Sequence, residues 1–251
     1  MEISASAGSG MERASFDALW PDGPRFRQAP GAFKLGTDSV LLADFANAAH
    51  ASRIMDLGYG AGVLTVLLAA TAPGAQVDGV EIQPGAAALC RENLTANGCL
   101  ERCSVHTGDL RRHRELFPAG AYDLVVSNPP YFPEKSGYTA PDESRAAARD
   151  ERSCTLEDLC AAARYLTRWG GLFALVHRPE RLSEVLCAMH AAGLEPKRLR
   201  MVQYQYDSAP NLFLAEGRRG GKPGLDVLPP LILAEADGSD TAEIRRIYHR
   251  G

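Results

Sequence analysis

Short runs rich in Val, Leu and Ile alternate along the chain with stretches whose apolar residues return every three to four positions. The short runs have the length of strands buried on both faces and the longer ones have helical period. The alternation therefore predicts an α/β fold with a mostly parallel sheet covered by helices. Residues 53–57, 76–81, 102–107 and 122–127 are expected as the first four strands, with helices over 63–72 and from Pro84 to about residue 97 between them. Asn97-Gly98 is a common helix stop. Thr155, with Asp158 three positions on, starts the next helix. A fifth strand follows Gly170-Gly171 at 172–177, and Pro179 opens a helix that closes at Gly193. The segments 198–206 and 212–216 are expected to pair antiparallel across Ser208-Ala209-Pro210-Asn211, making seven strands with a C-terminal hairpin. Residues 132–153 are polar and carry prolines, and read as a long surface loop.

With 251 residues, 45% of them hydrophobic, the chain can bury a large core. Its longest uncharged stretch, 57–77, is broken by Gly58, Gly60, Gly62, Pro73 and Gly74, which suits a turn and a buried helix rather than a membrane span. The first 15 residues contain Glu2 and Glu12 and no apolar core of a secretory signal. Six cysteines without a CxxC pair fit a reduced, cytoplasmic setting. Cys99, Cys103 and His106 complete no zinc spacing, so no metal is expected. A net charge of -4 excludes reliance on bulk electrostatics to hold nucleic acid. The charge is uneven, however: residues 1–163 carry 14 Lys/Arg against 21 Asp/Glu, and residues 164–251 carry 13 against 10. A polyanion would more easily meet the C-terminal part.

Asp56-Leu57-Gly58-Tyr59-Gly60-Ala61-Gly62 lies between a strand and a helix, where glycines let the backbone turn sharply and approach a ligand. A dinucleotide fingerprint would read G-x-G-x-x-G. Here the spacing is G-x-G-x-G and Val63 follows, which favours S-adenosylmethionine over NAD. Glu81 ends the second strand, where its carboxylate can accept hydrogen bonds from both ribose hydroxyls of an adenosine. Asp109, after the third strand, can accept from the adenine amino group. In a doubly wound sheet these strand ends face one crevice.

Asn128-Pro129-Pro130-Tyr131 follows the fourth strand and projects into that same crevice. An exocyclic amine on a purine, or an amide, is a poor nucleophile because its lone pair is delocalised. Accepting hydrogen bonds from both N–H groups draws the nitrogen toward tetrahedral geometry and frees the lone pair. The Asn128 side-chain oxygen and the Pro129 carbonyl can be those acceptors, with Pro129 and Pro130 fixing the backbone and Tyr131 stacking on the flat substrate.

These residues resemble the class I methyltransferases and, within them, the bacterial tRNA1(Val) adenine-37 N6-methyltransferase family. The resemblance spans roughly residues 25–250. It includes Phe33-Lys34-Leu35-Gly36-Thr37-Asp38-Ser39-Val40-Leu41-Leu42-Ala43, Val80-Glu81-Ile82-Gln83, Gly220-Gly221-Lys222-Pro223-Gly224-Leu225 and Leu228-Pro229-Pro230-Leu231. It implies a Rossmann-like fold and a single methyltransferase domain over 26–251, with residues 1–25 set apart as an N-terminal tail. It also implies S-adenosylmethionine as cofactor, with Lys34 and Thr37 in the segment that closes its pocket and Ile82 and Leu110 beside Glu81 and Asp109. The reaction implied is N6-methylation of an adenine beside the anticodon of a tRNA, a loop base that is cheaper to flip than a paired one. Lys197, Arg198, Arg200, Arg218, Arg219 and Lys222 are expected to hold phosphates, and His177 and Arg178 to approach the substrate. Two positions depart from the family pattern. Tyr59 stands where a small residue is usual, and Asp150 where His is frequent.

Other readings stay open at this stage. A protein methyltransferase acting on a glutamine side-chain amide uses the same Asn-Pro-Pro-Tyr segment, but usually carries a helical domain ahead of the cofactor domain. A DNA adenine methyltransferase would carry a target-recognition domain. A non-catalytic cofactor-binding module would draw its support from Tyr59.

Overall fold

The computed structural model describes residues 16–27, 36–130 and 154–250. A two-stranded hairpin, β1 (Asp17–Ala18) and β2 (Arg25–Phe26), precedes α1 (Thr37–Ala46). Next come β3 (Arg53–Leu57), α2 (Val63–Thr71), β4 (Gln76–Glu81), α3 (Pro84–Ala96), β5 (Cys103–Thr107), the short α4 (His113–Leu116) and β6 (Tyr122–Ser127). The remainder is α5 (Leu156–Leu166), β7 (Thr167–His177), α6 (Leu182–Ala191), β8 (Leu194–Gln203), β9 (Pro210–Arg219), β10 (Asp226–Ile232) and α7 (Ala242–Ile247).

The main sheet has eight strands in the order β10-β8-β9-β7-β6-β3-β4-β5. β3 pairs in parallel with both β4 and β6, and β4–β5 and β6–β7 are also parallel. The expected hairpin is present as β8 and β9, and β9 runs antiparallel to β7. The sequence suggests seven strands; the eighth, β10, lies parallel to β8 at the edge. Pro229 and Pro230 sit inside it, at an irregularity in the pairing between Leu228 and Leu231. An edge strand tolerates prolines because one of its sides has no ladder to donate to.

Period-two alternation sorts the strands' side chains between two cores. Ile54, Leu124, Val126, Ala174 and Val176 join α1, α2, α3 and α7 on one face. Met55, Val125, Phe173 and Leu175, their chain neighbours, join α5 and α6 on the other. Burial on both faces explains why these strands read as continuous apolar runs. Thr155 and Asp158 form the expected capping box, Oγ1 of Thr155 accepting from Asp158 N at 3.2 Å and Oδ2 of Asp158 from Thr155 N at 3.1 Å.

The hairpin at 16–26 lies in the segment read from sequence as a tail. Two asparagines four residues apart, Asn93 in the last turn of α3 and Asn97 capping its end, hold it. Asn97 accepts from Arg25 N at 2.9 Å and donates to Arg25 O at 2.7 Å, and the buried Asn93 accepts from Arg27 N at 2.8 Å. Trp20 packs edge-on against Tyr248 and on His249, joining the two ends of the described chain.

No described helix is long and apolar enough to cross a membrane, and the described residues contain no cluster of His, Cys, Asp and Glu arranged to hold a metal.

Candidate active site

The strand order changes direction around β3: β4 and β5 extend to one side and β6 and β7 to the other. In an open α/β sheet the crevice lies at this switch point, outside the carboxyl ends of the strands. The structure brings Asp56, the glycine loop, Glu81 and Asn128 together there. Leu57 is in register with both Val80 and Ser127, so the residues that follow β3, β4 and β6 emerge level.

The loop from Gly58 to Gly62 bridges β3 and α2. Gly58, Gly60 and Gly62 have φ of 80°, 51° and 83°, the left-handed region that favours glycine. Gly58 N donates to Val80 O at 2.8 Å, tying the loop to β4. The Glu81 carboxylate accepts from Gly60 N at 3.2 Å through Oε2 and from Gln83 N at 2.9 Å through Oε1, which fixes its orientation across the loop. From α3, Asn93 donates to Ala61 O at 2.8 Å, so the asparagine that holds the N-terminal hairpin also braces this loop.

Asp56 is 1% exposed. Its Oδ2 accepts from Thr65 Oγ1 at 2.7 Å, whereas its buried Oδ1 has no partner among the described residues. Burial pushes the Asp56 carboxyl up to about 7, a rise to which Glu81 adds. A buried oxygen without a donor beside a glycine loop fits a ligand that brings a cationic or N–H group, and the ammonium of S-adenosylmethionine is such a group. Ile82, 44% exposed directly after Glu81, offers an apolar surface for an adenine ring. Asp56, Glu81 and the three glycines therefore suit this cofactor.

A pH dependence follows. A folded-state value raised above that of the unfolded chain means that the fold retains the Asp56 proton, so Asp56 lowers stability as pH rises from about 4 to about 7. A cationic ligand favours the ionised carboxylate. Cofactor affinity measured by calorimetry should rise from pH 6 to about 7.5, below the range where an α-amino group loses its proton. Asp56→Asn should flatten that rise; an unchanged pH slope in this variant would remove Asp56 from the ligand set.

Asn128 is half-buried, and its Nδ2 donates to Ser39 Oγ of α1 at 3.0 Å. The preceding residue, buried Ser127, donates through Oγ to Leu57 O at 2.8 Å, locking the end of β6 onto the end of β3. The first turn of α1 thus touches the Asn-Pro-Pro segment directly, and Thr37, at the start of that turn, is half-buried. The sequence reading missed Ser39, Asn93 and Ser127 as parts of the site. Only Ser39 had a signal, its place within the N-terminal signature that begins at Phe33. Ser39→Ala should lower turnover about tenfold with little change in cofactor KM, and Ser39→Thr should restore most of it. A change in cofactor KM alone would place Ser39 with the cofactor rather than with Asn128.

Some expected site residues are disposed otherwise. Asp109 follows β5 as expected, and Gly108 N donates to Glu81 O at 2.9 Å, but its carboxylate is gripped by Arg111, which holds it below the usual carboxylate range. Adenine would have to share Asp109 with that guanidinium. Leu110, next to it, packs against the core on the α5 side. His177 is fully buried and its ring is stacked with Phe213; burial pushes it down to about 4, so it is neutral. Its Nδ1 accepts from Arg178 N, and the Arg178 guanidinium donates to Asn211 O.

The expected phosphate-binding cluster is largely drawn into contacts within the fold. Arg218 pairs in register with Leu172, and Leu194 with Arg219, so the start of β8 and the end of β9 lie at the sheet end opposite Asn128. Arg198 bonds Glu216 and Phe45 O and covers the Phe45 ring, Arg200 is bidentate to Glu243, and Arg219 donates to Thr167 O. These three stabilise the fold. Lys197 donates to Lys222 O, which leaves Arg218 and the Lys222 side chain as the exposed cations of the cluster.

Tyr59 is turned into the core, 4% exposed, its hydroxyl donating to His106 O at 3.3 Å. A Cβ on Gly79 of β4 would fall 2.7 Å from its ring, so Tyr59 uses the space that Gly79 leaves. Lys34, Tyr131, Asp150 and the loop 132–153 lie outside the described residues.

A sheet with this switch point, a glycine loop braced by Glu81 and Asn93 beside the buried Asp56, and an Asn-Pro-Pro segment next to it define an S-adenosylmethionine-dependent class I methyltransferase. The chain matches the methyltransferase small domain family over residues 25–189. It is 37% identical over 217 residues to the tRNA1(Val) (adenine(37)-N6)-methyltransferase of Tolumonas auensis, covering 84% of this chain and 86% of that one. To the protein of the same name from Serratia proteamaculans it is 34% identical over 219 residues, covering 86% and 82%. The chain belongs to the tRNA1(Val) (adenine(37)-N6)-methyltransferase family within the small-domain methyltransferases. Among solved structures, a predicted O-methyltransferase from Agrobacterium tumefaciens shares the fold, with a TM-score of 0.70 at 22% identity over 86% of this chain and 97% of that one.

Proposed function

We propose that this protein transfers the methyl group of S-adenosylmethionine to N6 of an adenine in tRNA, at position 37 beside the anticodon of tRNA1(Val). The observation that carries this reading is the placement of Asn128, fixed by Ser39 and by the Ser127–Leu57 bond at the mouth of the glycine-loop crevice. The choice of substrate rests on the names of relatives that align over more than four-fifths of both chains. Residues 26–251 act as one domain in this reading, in the cytoplasm where tRNA is modified.

The cofactor supplies an activated methyl on a sulfonium. Asn128 Oδ1 and the Pro129 carbonyl accept the two N–H groups of the adenine, and the lone pair freed on N6 takes the methyl. The spare proton leaves to water after transfer. Positioning for in-line attack supplies most of the acceleration, so no strong base is required. Tyr131 stacks on the flipped base.

The test offers labelled cofactor with unmodified tRNA, duplex DNA and a release-factor protein in parallel. Label is expected in tRNA alone. Label in the protein would replace this reading with glutamine methylation, and label in no substrate would favour a binding module.

A further inference from the structure

The sheet end that carries Asn128 also carries two exposed tyrosines with no role in the site so far described. β8 runs parallel to β7 and β6, because both β7 and β8 pair antiparallel with β9. Its carboxyl end therefore faces the same way as that of β6. Through Val176 and Leu214, the level of Asn128 corresponds to Arg200 on β8. Tyr204 stands four residues beyond that level, about 13 Å farther out, and three strand spacings, about 14 Å, to the side.

Tyr204 is 54% exposed and Tyr206 85%. Neither owes its exposure to a slack loop. Gln203 Nε2 donates to Ser208 O at 2.6 Å, Gln205 N to Ser208 Oγ at 3.1 Å and Ser208 N to Gln205 O at 3.0 Å. Gln205 Nε2 reaches Glu235 O at 2.9 Å, and Ala234 N donates to Tyr204 O at 2.7 Å. The segment is thus tied to itself and to the stretch after β10, and among the described residues no other ring or guanidinium packs on either tyrosine. Its neighbours Asp207 and Glu235 are acidic, so the surface is unsuited to gripping phosphates.

We propose that Tyr204 and Tyr206 form a stacking platform for unpaired bases of the substrate RNA that flank the methylated adenine. This rests on the tRNA reading above. Aromatic faces presented to solvent from a tied backbone take bases without sequence preference, and their distance from Asn128 suits nucleotides a few steps along a splayed loop. Recognition of an open loop by stacking also explains how a chain of net charge -4 holds RNA, when much of the basic cluster on β8 and β9 is spent inside the fold.

The test compares methyl transfer to unmodified tRNA by the unaltered protein, Tyr204→Ala/Tyr206→Ala and Tyr204→Phe/Tyr206→Phe. The alanine pair should raise the KM for tRNA tenfold or more, with kcat within about twofold and the salt dependence of binding unchanged. The phenylalanine pair should match the unaltered protein, since the ring and not the hydroxyl is used. Thermal unfolding of all three should coincide, as both side chains are exposed. An unchanged KM in the alanine pair overturns the platform while leaving the tRNA reading standing. Conversion of a dimer to a monomer by the alanine pair, seen by sedimentation, also overturns it, because the tyrosines would then serve a protein interface. Absence of transfer to tRNA by the unaltered protein overturns the reading beneath and the platform with it.

Discussion

Asn128→Ala should lower single-turnover methyl transfer by at least ~100-fold while leaving cofactor affinity within about threefold, because an acceptor aimed at the reacting amine acts mainly in the transition state. The side chain is half-buried at the end of β6 and hydrogen-bonded to Ser39, so its loss leaves one hydroxyl without that partner, a stability cost of about 1 kcal/mol. That cost is too small to unfold the domain, and transfer measured on folded protein reports chemistry. Asn128→Asp keeps an acceptor oxygen and should retain more activity than Asn128→Ala. Calorimetry showing equal loss of cofactor binding would make Asn128 a cofactor ligand or a structural residue instead.

Gly62→Ala should be the most damaging change in the cofactor loop. With φ at +83°, any side chain there pays for a left-handed backbone, about 1–2 kcal/mol. The added Cβ would also lie 2.4 Å from Sγ of the buried Cys90, an overpacking cost of about 1–3 kcal/mol more. Together these should lower Tm by about 5–15 °C and abolish cofactor binding, since Gly62 sets the start of α2. Adding Cys90→Ala should recover only the packing part. Gly74→Ala is the control: its Cβ meets nothing within 4 Å, and its φ lies outside the left-handed region. A Gly62→Ala protein with unchanged Tm would show that the loop relaxes freely.

Much of this fold can be read in the chain because β3, β4 and β6 are buried on both sides. A run such as Ile54-Met55-Asp56-Leu57 has no solvent face and stands out as an apolar segment with one acid, Asp56, just before its end. β10 is hidden for the opposite reason, since an edge strand admits the prolines that argue against a central one. The crevice residues follow from the rule that strand ends converge, which needs only strand order. The placement of the basic cluster is not legible in the chain, because proximity in sequence does not say which end of a sheet a residue occupies. The β8–β9 hairpin reverses direction and carries Arg218 and Arg219 away from the crevice. The partners that occupy Arg198 and Arg200, Glu216 and Glu243, lie 18 and 43 residues away along the chain. Asn93 likewise joins the loop carbonyl of Ala61 to the N-terminal hairpin across separations of 32 and 66 residues, contacts that no local pattern encodes.

In the proposed reaction Asn128 presents acceptors to the exocyclic amine of a tRNA adenine at the cofactor crevice. The most direct measurement incubates the protein and unlabelled cofactor with unmodified tRNA1(Val), digests the product and identifies the methylated nucleoside and its position by mass spectrometry. The expected product is N6-methyladenosine at position 37, formed by the unaltered protein and lost in Asn128→Ala. A methyl on a ring nitrogen, on ribose or on another base, or N6-methyladenosine formed equally well by Asn128→Ala, would contradict it.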